Sequence, residues 1–312
     1  TLFPYTTLFR SYSNKKRQAI LLALLAAHCT FYGTNVMAAP VPVTDGKYTA
    51  DGTDTYDPIT HTDTINSIKV SNGSQVSVTA GATTVNGVNS SESLTASSGG
   101  QLTVNGSLNA TVGLGDTYST GVGYSGIVAN GSGSKIILSG TDNSITSKST
   151  NYKNSESAFF AYNNGEIHVT GDTTTVKVSQ SRIVAAQDGA SITFSNGKSD
   201  DQSALFKAAS SSQRWMVVAN GTGRINFDRV EIDGTGYSNG RMFLANGDPA
   251  KDINEQAKIT FLGGSFNRND GAGRPGATAL ETGNFGQIEV LGYEGGELDI
   301  RTGGNHESGI IA

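Results

Sequence analysis

The feature that most constrains the fold of this chain is a short pattern that recurs at intervals of about 30 residues. Each copy has a small residue, a polar residue, an apolar residue that is Ile in most copies, a mostly polar residue and a second large apolar residue. The central apolar residues of the eight copies are Val76, Leu102, Ile136, Ile167, Ile192, Ile225, Ile259 and Ile288. A period of this length is typical of solenoids, in which each repeat stacks on its neighbours.

Each repeat contains more than one strand. Alternation of apolar and polar residues in the pattern predicts a half-buried strand, because successive side chains of a strand point to opposite faces. Before the pattern comes an apolar run that ends in a turn, as in residues 126–131 and 216–221. After it comes a further strand, as in residues 174–178. Three short strands in about 30 residues predict one triangular coil per repeat.

We therefore predict an all-β fold, a right-handed parallel β-helix with about 30 residues per three-strand coil. The dipeptide Asn-Gly recurs at Asn130, Asn220 and Asn246, and both of its residues tolerate positive φ, so we expect it to form corners. Ile, Val and Phe should form the interior, and Ser, Thr and Asn should face water. The alternatives are an irregular β-sandwich and a disordered polar repeat, but only 16% of the residues are charged, which argues against a charge-rich disordered chain.

The first residues of the chain are predicted to lie outside the fold. Residues 1–11, TLFPYTTLFRS, resemble the in-frame translation of a sequencing adapter and are interpreted as an artefact. Residues 12–38 resemble a Sec signal peptide, with basic residues at 15–17 and an apolar run at 19–27. That run is too short to span a bilayer, which needs about 20 residues. We expect cleavage after Ala38.

The mature region is predicted to begin with a cap or tether over residues 39–65, followed by the β-helix over 66–312. The only cysteine, Cys29, would be removed with the signal, which leaves no disulfide and no thiolate metal ligand in the mature region. Residues 308–312 repeat the start of an earlier coil at 125–129. We therefore expect the sequence to be an N-terminal fragment of a longer protein.

These features together resemble the passenger domain of a bacterial autotransporter, a type V secreted protein of the pertactin-like class. The resemblance covers about residues 41–312 and rests on the signal, the cysteine-free coils and their Gly, Asn, Ser and Thr content. It implies export through a C-terminal outer-membrane β-barrel and display at the cell surface, or release from it, in a Gram-negative-type envelope. The sequence contains no series of amphipathic barrel strands, so that translocator is expected in a missing part. A two-partner secreted haemagglutinin-like protein would have similar repeats.

Several charged residues are candidates for chemistry on glycans, because β-helical hydrolases need an acid and a base and lyases need a basic residue beside acidic groups. They are Asp200, Asp201, Asp228, Glu231, Asp233, Arg224, Arg229 and Arg241. We expect them to be solvated surface charges. On a strand, Glu231 and Asp233 would share one face.

The remaining candidates are isolated. His61, His168 and His306 accompany no serine-protease motif and make no metal-ligand pattern, and His168 is expected to face outward from a strand. Trp215 could offer a sugar-stacking platform with Arg214 and Tyr237, but we expect it to cap the core beside Met216. The net charge is −5 with scattered Lys and Arg, which gives no nucleic-acid footprint.

The sequence therefore predicts no catalytic, cofactor-binding or metal-binding residue. The leading hypothesis is an adhesin or structural stalk, not an enzyme, that binds polymers of a host or neighbouring cell surface through distributed polar faces and loops. One alternative is a carbohydrate-active enzyme of the polysaccharide lyase or hydrolase type. A second alternative is a spacer that carries a domain in the missing part of the protein.

Overall fold

The computed structural model describes residues 38–52, 54–60, 65–79, 81–87, 93–112, 126–147, 157–178, 182–195, 204–210, 215–237, 242–268, 278–292, 299–302 and 308–311. Contacts divide the chain into two units, Thr1–Ala38 and Ala39–Ala312. The adapter-like string and nearly all of the predicted signal lie outside the described residues. Within those residues there is no helix with the length and hydrophobicity that a membrane crossing requires.

Apart from the antiparallel strand Val43–Thr44, the unit Ala39–Ala312 is built from parallel strands in three ladders, which we call ladders 1, 2 and 3 in the order in which each coil visits them. Ladder 1 contains Val43–Thr44, Lys47–Asp51, Ser67–Ser71, Leu94–Ser97, Ile127–Asn130, Ser157–Tyr162, Arg182–Gln187, Val217–Gly221, Phe243–Gly247, Thr278–Gly283 and Ser308–Ile311. We number the coils 1 to 8, beginning at Ser67–Ser71.

Ladders 2 and 3 belong to one sheet that bends round a corner of the coil. Ladder 2 contains Gln75–Val78, Gln101–Val104, Lys135–Leu138, Glu166–Val169, Ser191–Ser195 and Gln287–Leu291. Ladder 3 contains Ala82–Gly87, Ser107–Val112, Asp142–Ser147, Thr173–Val178, Ala204–Ser210 and Asp299–Thr302. In coils 6 and 7 the strands Arg224–Tyr237 and Lys258–Arg268 run through both ladders. The prediction of an all-β parallel β-helix with three strands per coil is confirmed.

The eight predicted apolar centres form a single row of ladder 2. From Val76 to Ile288, each centre is paired in register with the next one along the chain. The first seven are buried, and Ile288 packs partly buried against the same core. The offset between paired centres varies from 25 residues between Ile167 and Ile192 to 34 between Leu102 and Ile136. Differences in coil length are therefore taken up outside this row.

Aromatic side chains stack inside the later coils. Phe194, Phe227 and Phe261 occupy one register position of ladder 2. Their ring centroids are 5.3 Å and 5.4 Å apart, with interplanar angles of 8° and 11°. Phe243 of ladder 1 meets both Phe227 and Phe261 edge-on. The core thus holds a continuous aromatic column, in which stacked and edge-to-face contacts add to the burial of apolar surface.

Ladder 1 differs from the expectation that Val and Phe form the interior while Thr faces water. Its outward row, whose neighbours along each strand belong to the core, is buried with exposures of 2–6% in coils 2 to 6. The row consists of Thr95, Val128, Phe160, Ala185 and Val218. Strands buried on both faces have nearly continuous apolar sequences, and the apolar runs before each repeat pattern have that character. The assignment by residue type is therefore wrong for Val128, Phe160 and Val218, which face outward, and for Thr95, which is buried.

The corners between ladders 1 and 2 are tight turns in most coils. The predicted corner residues Asn130, Asn220 and Asn246 lie at or near the ends of their strands. Positive φ is adopted by the following glycine at Gly131 and Gly221, with values of 95° and 63°. The glycine therefore makes the bend, and the asparagine belongs to the strand before it.

Residues 39–65, predicted to be a cap or tether, include strands paired with the first regular coil. Lys47–Asp51 pairs in parallel with Ser67–Ser71. The preceding strand, Val43–Thr44, pairs in antiparallel fashion with Lys47–Asp51. Isolated bridges join Ile59 to Val78 and Ile65 to Val85. The segment thus follows the path of a coil with shorter pairing, and an antiparallel strand lies at the described edge of ladder 1.

Candidate functional site

The outer face of ladder 2 carries charged side chains that are paired with one another. Lys135 Nζ lies 3.4 Å from Glu166 Oε2, and His168 Nε2 lies 3.2 Å from the same oxygen. Farther along, Lys258 pairs with Glu289 in the next coil. The two lysine–glutamate pairs form because neighbouring strands of a parallel ladder are only about 4.8 Å apart. His168 reaches Glu166 from two residues further along the same strand.

The hydrogen bond with His168 lowers the pKa of the Glu166 carboxyl below its ordinary value. The positive charge of Lys135 acts in the same direction, whereas partial burial opposes both effects. A carboxylate with a lowered pKa stays ionised, so this group serves as a charge partner and has no proton to give near neutral pH.

The outer face of ladder 3 carries short polar side chains in register. One row runs over four coils and consists of Thr84, Asn109, Ser144 and Thr175. All four are exposed or half-buried. The prediction that Ser, Thr and Asn face water holds for this row, but it is wrong for Thr83, Asn143 and Thr174 of the same ladder, which are buried.

The acidic candidates of coil 6 lie on two different ladders. Asp228 is on the ladder 2 side and accepts a hydrogen bond from Arg229 Nε at 3.2 Å. Glu231 and Asp233 share the outer face of ladder 3, as predicted, with the buried Ile232 between them. Asp233 Oδ1 accepts hydrogen bonds from the N–H and hydroxyl of Thr235, at 3.1 Å and 2.7 Å. Asp228 is thus paired with an arginine, and Asp233 forms hydrogen bonds within a turn.

Three further candidates are described. Arg224 donates to the carbonyl oxygen of Asn254 at 3.1 Å. His168 lies on the outer face of ladder 2, as predicted, in register with Ile137 and Thr193. Trp215 is half-buried and directly precedes Met216, which is fully buried. The other candidates lie outside the described residues, and these are Asp200, Asp201, Arg241, His61, His306, Arg214 and the side chain of Tyr237. Among the residues that the structure describes, no three His, Cys, Asp or Glu side chains are grouped to hold a metal ion.

The most irregular described corner is the one in coil 7. There the turn between Phe243–Gly247 and Lys258–Arg268 is replaced by residues 248–257, which we call the corner loop. It contains a short 3-10 helix, Ile253–Glu255, whose first turn is capped by the Asp252 side chain accepting from the N–H of Asn254 at 3.0 Å. Among the described corners between ladders 1 and 2, this one departs most from the short turns of the other coils.

Gln256 holds the corner loop in place. Its side chain is 2% exposed, and its Oε1 accepts a hydrogen bond from the N–H of Asp248 at 2.7 Å. Its Nε2 donates to the carbonyl oxygens of Asp248 and Lys251, both at 2.8 Å. From the next coil, Gln287 Nε2 donates to the carbonyl oxygen of Ile253 at 2.9 Å. One buried amide thus satisfies the loop's inner backbone groups, so the loop is ordered before any ligand arrives.

A groove of about 310 Å³ lies along this corner, and we call it the corner groove. It is lined by Asn164, Asp188, Gly189, Gly221, Thr222, Asp248 and Lys251. These residues come from coils 4 to 7, so the groove runs along the helix axis for about 14 Å at the usual strand spacing. Its volume is at the lower end of the range for small-molecule sites.

Two side chains of the corner groove lean over glycines of the following coil. A Cβ at Gly189 would lie 2.2 Å from Asn164 Oδ1, and a Cβ at Gly221 would lie 3.4 Å from Asp188 Oδ1. Both glycines have positive φ, of 78° and 63°. The glycines therefore leave room for an amide and a carboxylate to lie along the floor of the groove.

Sequence reasoning missed the corner groove, although the sequence does contain a signal for it. The distance from the corner asparagine to the next apolar centre is five residues between Asn220 and Ile225. It is thirteen between Asn246 and Ile259. That insertion predicts a loop at the corner. The groove itself depends on Asn164 and Asp188, which occupy ordinary turn positions three and two coils earlier, respectively.

Comparison of the chain with protein-family models, with curated proteins and with solved structures finds no match. The resemblance to autotransporter passengers therefore stays a prediction from the sequence. What the chain does must be argued from the geometry of its own surface.

Proposed function

We propose that this protein is exported by the Sec route and displayed at the cell surface, or released from it, as a β-helical passenger that acts as an adhesin or structural stalk. The observation that carries the proposal is the repetition of polar side chains in register on the outer face of ladder 3, from Thr84 to Thr175. A surface that presents the same groups coil after coil can make many weak contacts with a polymer, and their combined strength exceeds that of any single contact.

The architecture supports a mechanical role for the same surface. Each coil pairs in parallel with its neighbours through three ladders, so the outer rows are held at a fixed spacing by the backbone. The only cysteine is Cys29 in the predicted signal, so this rigidity comes from hydrogen bonding and packing in residues 39–312. A cysteine-free passenger can also cross an envelope unfolded without forming premature disulfides.

The proposal is tested by deleting the gene in the producing cell and measuring how many cells stay attached to partner-cell surfaces and isolated surface polymers under flow. We expect a loss of attachment in the deletion strain and its return when the intact gene is supplied. Protease treatment of intact cells should remove the protein, as expected for surface display. Unchanged attachment after deletion contradicts the adhesin role, and protection from protease on intact cells contradicts display.

A further inference from the structure

We infer that the corner groove is a binding site for a neutral, hydroxyl-rich saccharide chain. The inference rests on the proposed function, since it assigns one ligand class and one place on the surface to a protein that binds cell-surface polymers. Its carrying observation is a cavity of about 310 Å³ whose lining side chains are all polar and come from four successive coils.

Four of the five polar side chains of the corner groove are free to bind a ligand, while Asp248 Oδ1 already accepts a hydrogen bond from the N–H of Ala250 at 2.9 Å. Within the described part of the chain, the side chains of Asn164, Asp188, Thr222 and Lys251 make no hydrogen bond or ion pair with other residues. On the outer face of ladder 2, by contrast, the carboxylates of Glu166 and Glu289 are paired with lysines. The groove thus gathers unpaired donors and acceptors at the point where the surface is concave.

The kinds of group present select a ligand with many hydroxyls. Carboxylates only accept hydrogen bonds, an ammonium only donates them, and an amide and a hydroxyl do both. A sugar hydroxyl can act as donor and acceptor, so it can meet every one of these groups. The lining has no aliphatic or aromatic side chain, which disfavours a peptide that must bury apolar residues.

Charge in the groove selects against acidic glycans. Asp188 and Asp248 carry two formal negative charges and Lys251 carries one positive charge, so the lining is negative overall. A uronic acid in the groove would bring its carboxylate close to those of the protein, and like charges at short range repel. A neutral chain has no such penalty.

The shape of the groove selects a chain over a single small molecule. The Asn164 amide and the Asp188 carboxylate lie over Gly189 and Gly221 at the floor, so a chain that runs along the groove meets polar groups from successive coils. The groove is elongated along the helix axis, and the corner loop forms its wall at the coil 7 end with Asp248 and Lys251. Because Gln256 fixes that wall in advance, little ordering is needed on binding.

The test measures binding of the purified full chain to neutral oligosaccharides of glucose, galactose, mannose and N-acetylglucosamine, and to uronic-acid oligomers of equal length, by calorimetry and NMR. We expect at least one neutral series to bind, and affinity to rise with oligomer length. Asp188→Ala and Lys251→Ala should each weaken that binding about tenfold, as expected for loss of a charged hydrogen-bonding partner. The matched control is Asp142→Ala, which removes an exposed carboxylate from ladder 3.

Several results would overturn the inference. They are the absence of binding to every neutral series, equal binding by the Asp188→Ala and Asp142→Ala variants, tighter binding of uronic-acid oligomers, and the release of new reducing ends, which would indicate hydrolysis. These failures are distinct from failure of the proposed function. If gene deletion abolishes attachment but the Asp188→Ala variant restores it fully, the adhesin role stands and saccharide binding in the groove is refuted. Cells that attach normally without the gene refute the adhesin role.

Discussion

Glycines at the start of ladder 2 strands let successive coils approach closely. An ideal Cβ at each of four of them would lie 2.0–2.3 Å from a backbone carbonyl oxygen of the preceding coil. They are Gly100, Gly165, Gly223 and Gly286. In coils 5 and 7 the same position holds Ala190 and Ala257, so every coil places a small residue there. The close approach explains why glycine stands at this position in those four coils, whereas the alanines show that coils 5 and 7 leave room for a Cβ.

We expect Gly223→Ala to destabilise the protein by about 1–3 kcal/mol, because its Cβ would lie 2.1 Å from the carbonyl oxygen of Ala186 and force a backbone shift. Gly81→Ala is the control, since nothing lies within 4 Å of a Cβ there. That change should leave stability unchanged or raise it slightly through the entropy of the unfolded chain. The midpoint of denaturant unfolding, followed by circular dichroism, measures both. Equal midpoints for the two variants would contradict the close-packing argument.

Glu166 should titrate with a pKa below its ordinary value, and His168→Gln should raise that pKa because the histidine bond is the largest cause of the shift. Lys135→Gln should also raise it, because the lysine charge lowers the pKa. A lowered folded-state pKa contributes stability above the unfolded-state pKa, and this contribution is lost as the pH falls through the folded-state value. The side chain is 48% exposed, so we expect less than about 1 kcal/mol. Carboxyl NMR titration tests this, and an unchanged Glu166 pKa in the His168 variant would contradict the role of the histidine bond.

Single residues of the core row could be predicted from the sequence to the exact register, whereas the corner residues could not. Ile136 and Ile167 lie in strictly alternating or nearly alternating segments, and alternation alone decides which side chain faces the core. Asn220 was expected to share the bend with Gly221, but only the glycine adopts positive φ. Asn and Gly both tolerate that conformation, so local sequence does not say which of them takes it.

The corner loop is an element that depends on one side chain. We expect Gln256→Ala to leave the N–H of Asp248 and the carbonyl oxygen of Lys251 without their partner, at a local cost of about 1–3 kcal/mol. The loop should then open more often, and trypsin should cleave after Lys251 faster than in the unchanged protein. The overall β-sheet circular dichroism should stay the same because the three ladders do not use this side chain.

Gln287→Ala is the matched control for the loop, since it removes one exposed hydrogen bond to Ile253. We expect it to accelerate cleavage after Lys251 only slightly. Mass spectrometry of the first tryptic fragments identifies the cut. Cleavage at equal rates in the Gln256 and Gln287 variants would show that the buried amide does not hold the loop.

The aromatic column is the element that we expect to stabilise the later coils most. Phe227 is 1% exposed and contacts Phe194 and Phe261 face to face, so Phe227→Ala should cost about 3–5 kcal/mol. Phe285→Ala, at a site that is 65% exposed, should change stability by no more than about 0.5 kcal/mol. Urea unfolding measures the difference. Similar midpoints for the two variants would contradict a role for the column.

At the scale of elements, the sequence predicts the strands well, but it predicts poorly which of their faces are buried and which turns meet in a groove. Val128 and Phe160 were expected in the interior but lie in the outward row of ladder 1, because the interior was assigned by residue type and not by position in the pleat. The continuous apolar runs did contain the signal for burial on both faces. The corner groove was not predictable, since it requires knowing which turns stack above which, and that follows only from the length of every coil.

For the whole molecule, we expect stability to depend more on the register between coils than on the length of the chain. Each strand pairs only with the strands one coil before and after, so stability is expected to be a sum of coil and interface contributions. Gln101 is paired with Lys135 in ladder 2, an offset of 34 residues. If the 34 residues from Gln101 to Ser134 are removed, Lys135 takes the place of Gln101 in ladder 2.

We therefore expect deletion of residues 101–134, which joins Gly100 to Lys135, to give a folded β-helix one coil shorter. The strand Lys135–Leu138 would follow Leu94–Ser97 directly and pair with Gln75–Val78, placing Ile136 above Val76 in the core. Coils 4 to 7 stay unchanged, so the corner groove should retain its lining and its saccharide binding.

Deletion of residues 101–112 is the control, because it removes fewer residues but takes one strand from each of ladders 2 and 3 while ladder 1 keeps its own. The smaller deletion should be the more damaging one, with a lower unfolding midpoint and exposed apolar surface, because the interior of coil 2 then lacks two of its three walls. Circular dichroism and thermal unfolding of the two variants decide the matter. If the twelve-residue deletion were as stable as the deletion of a whole coil, pairing between neighbouring coils would not be what holds this protein together.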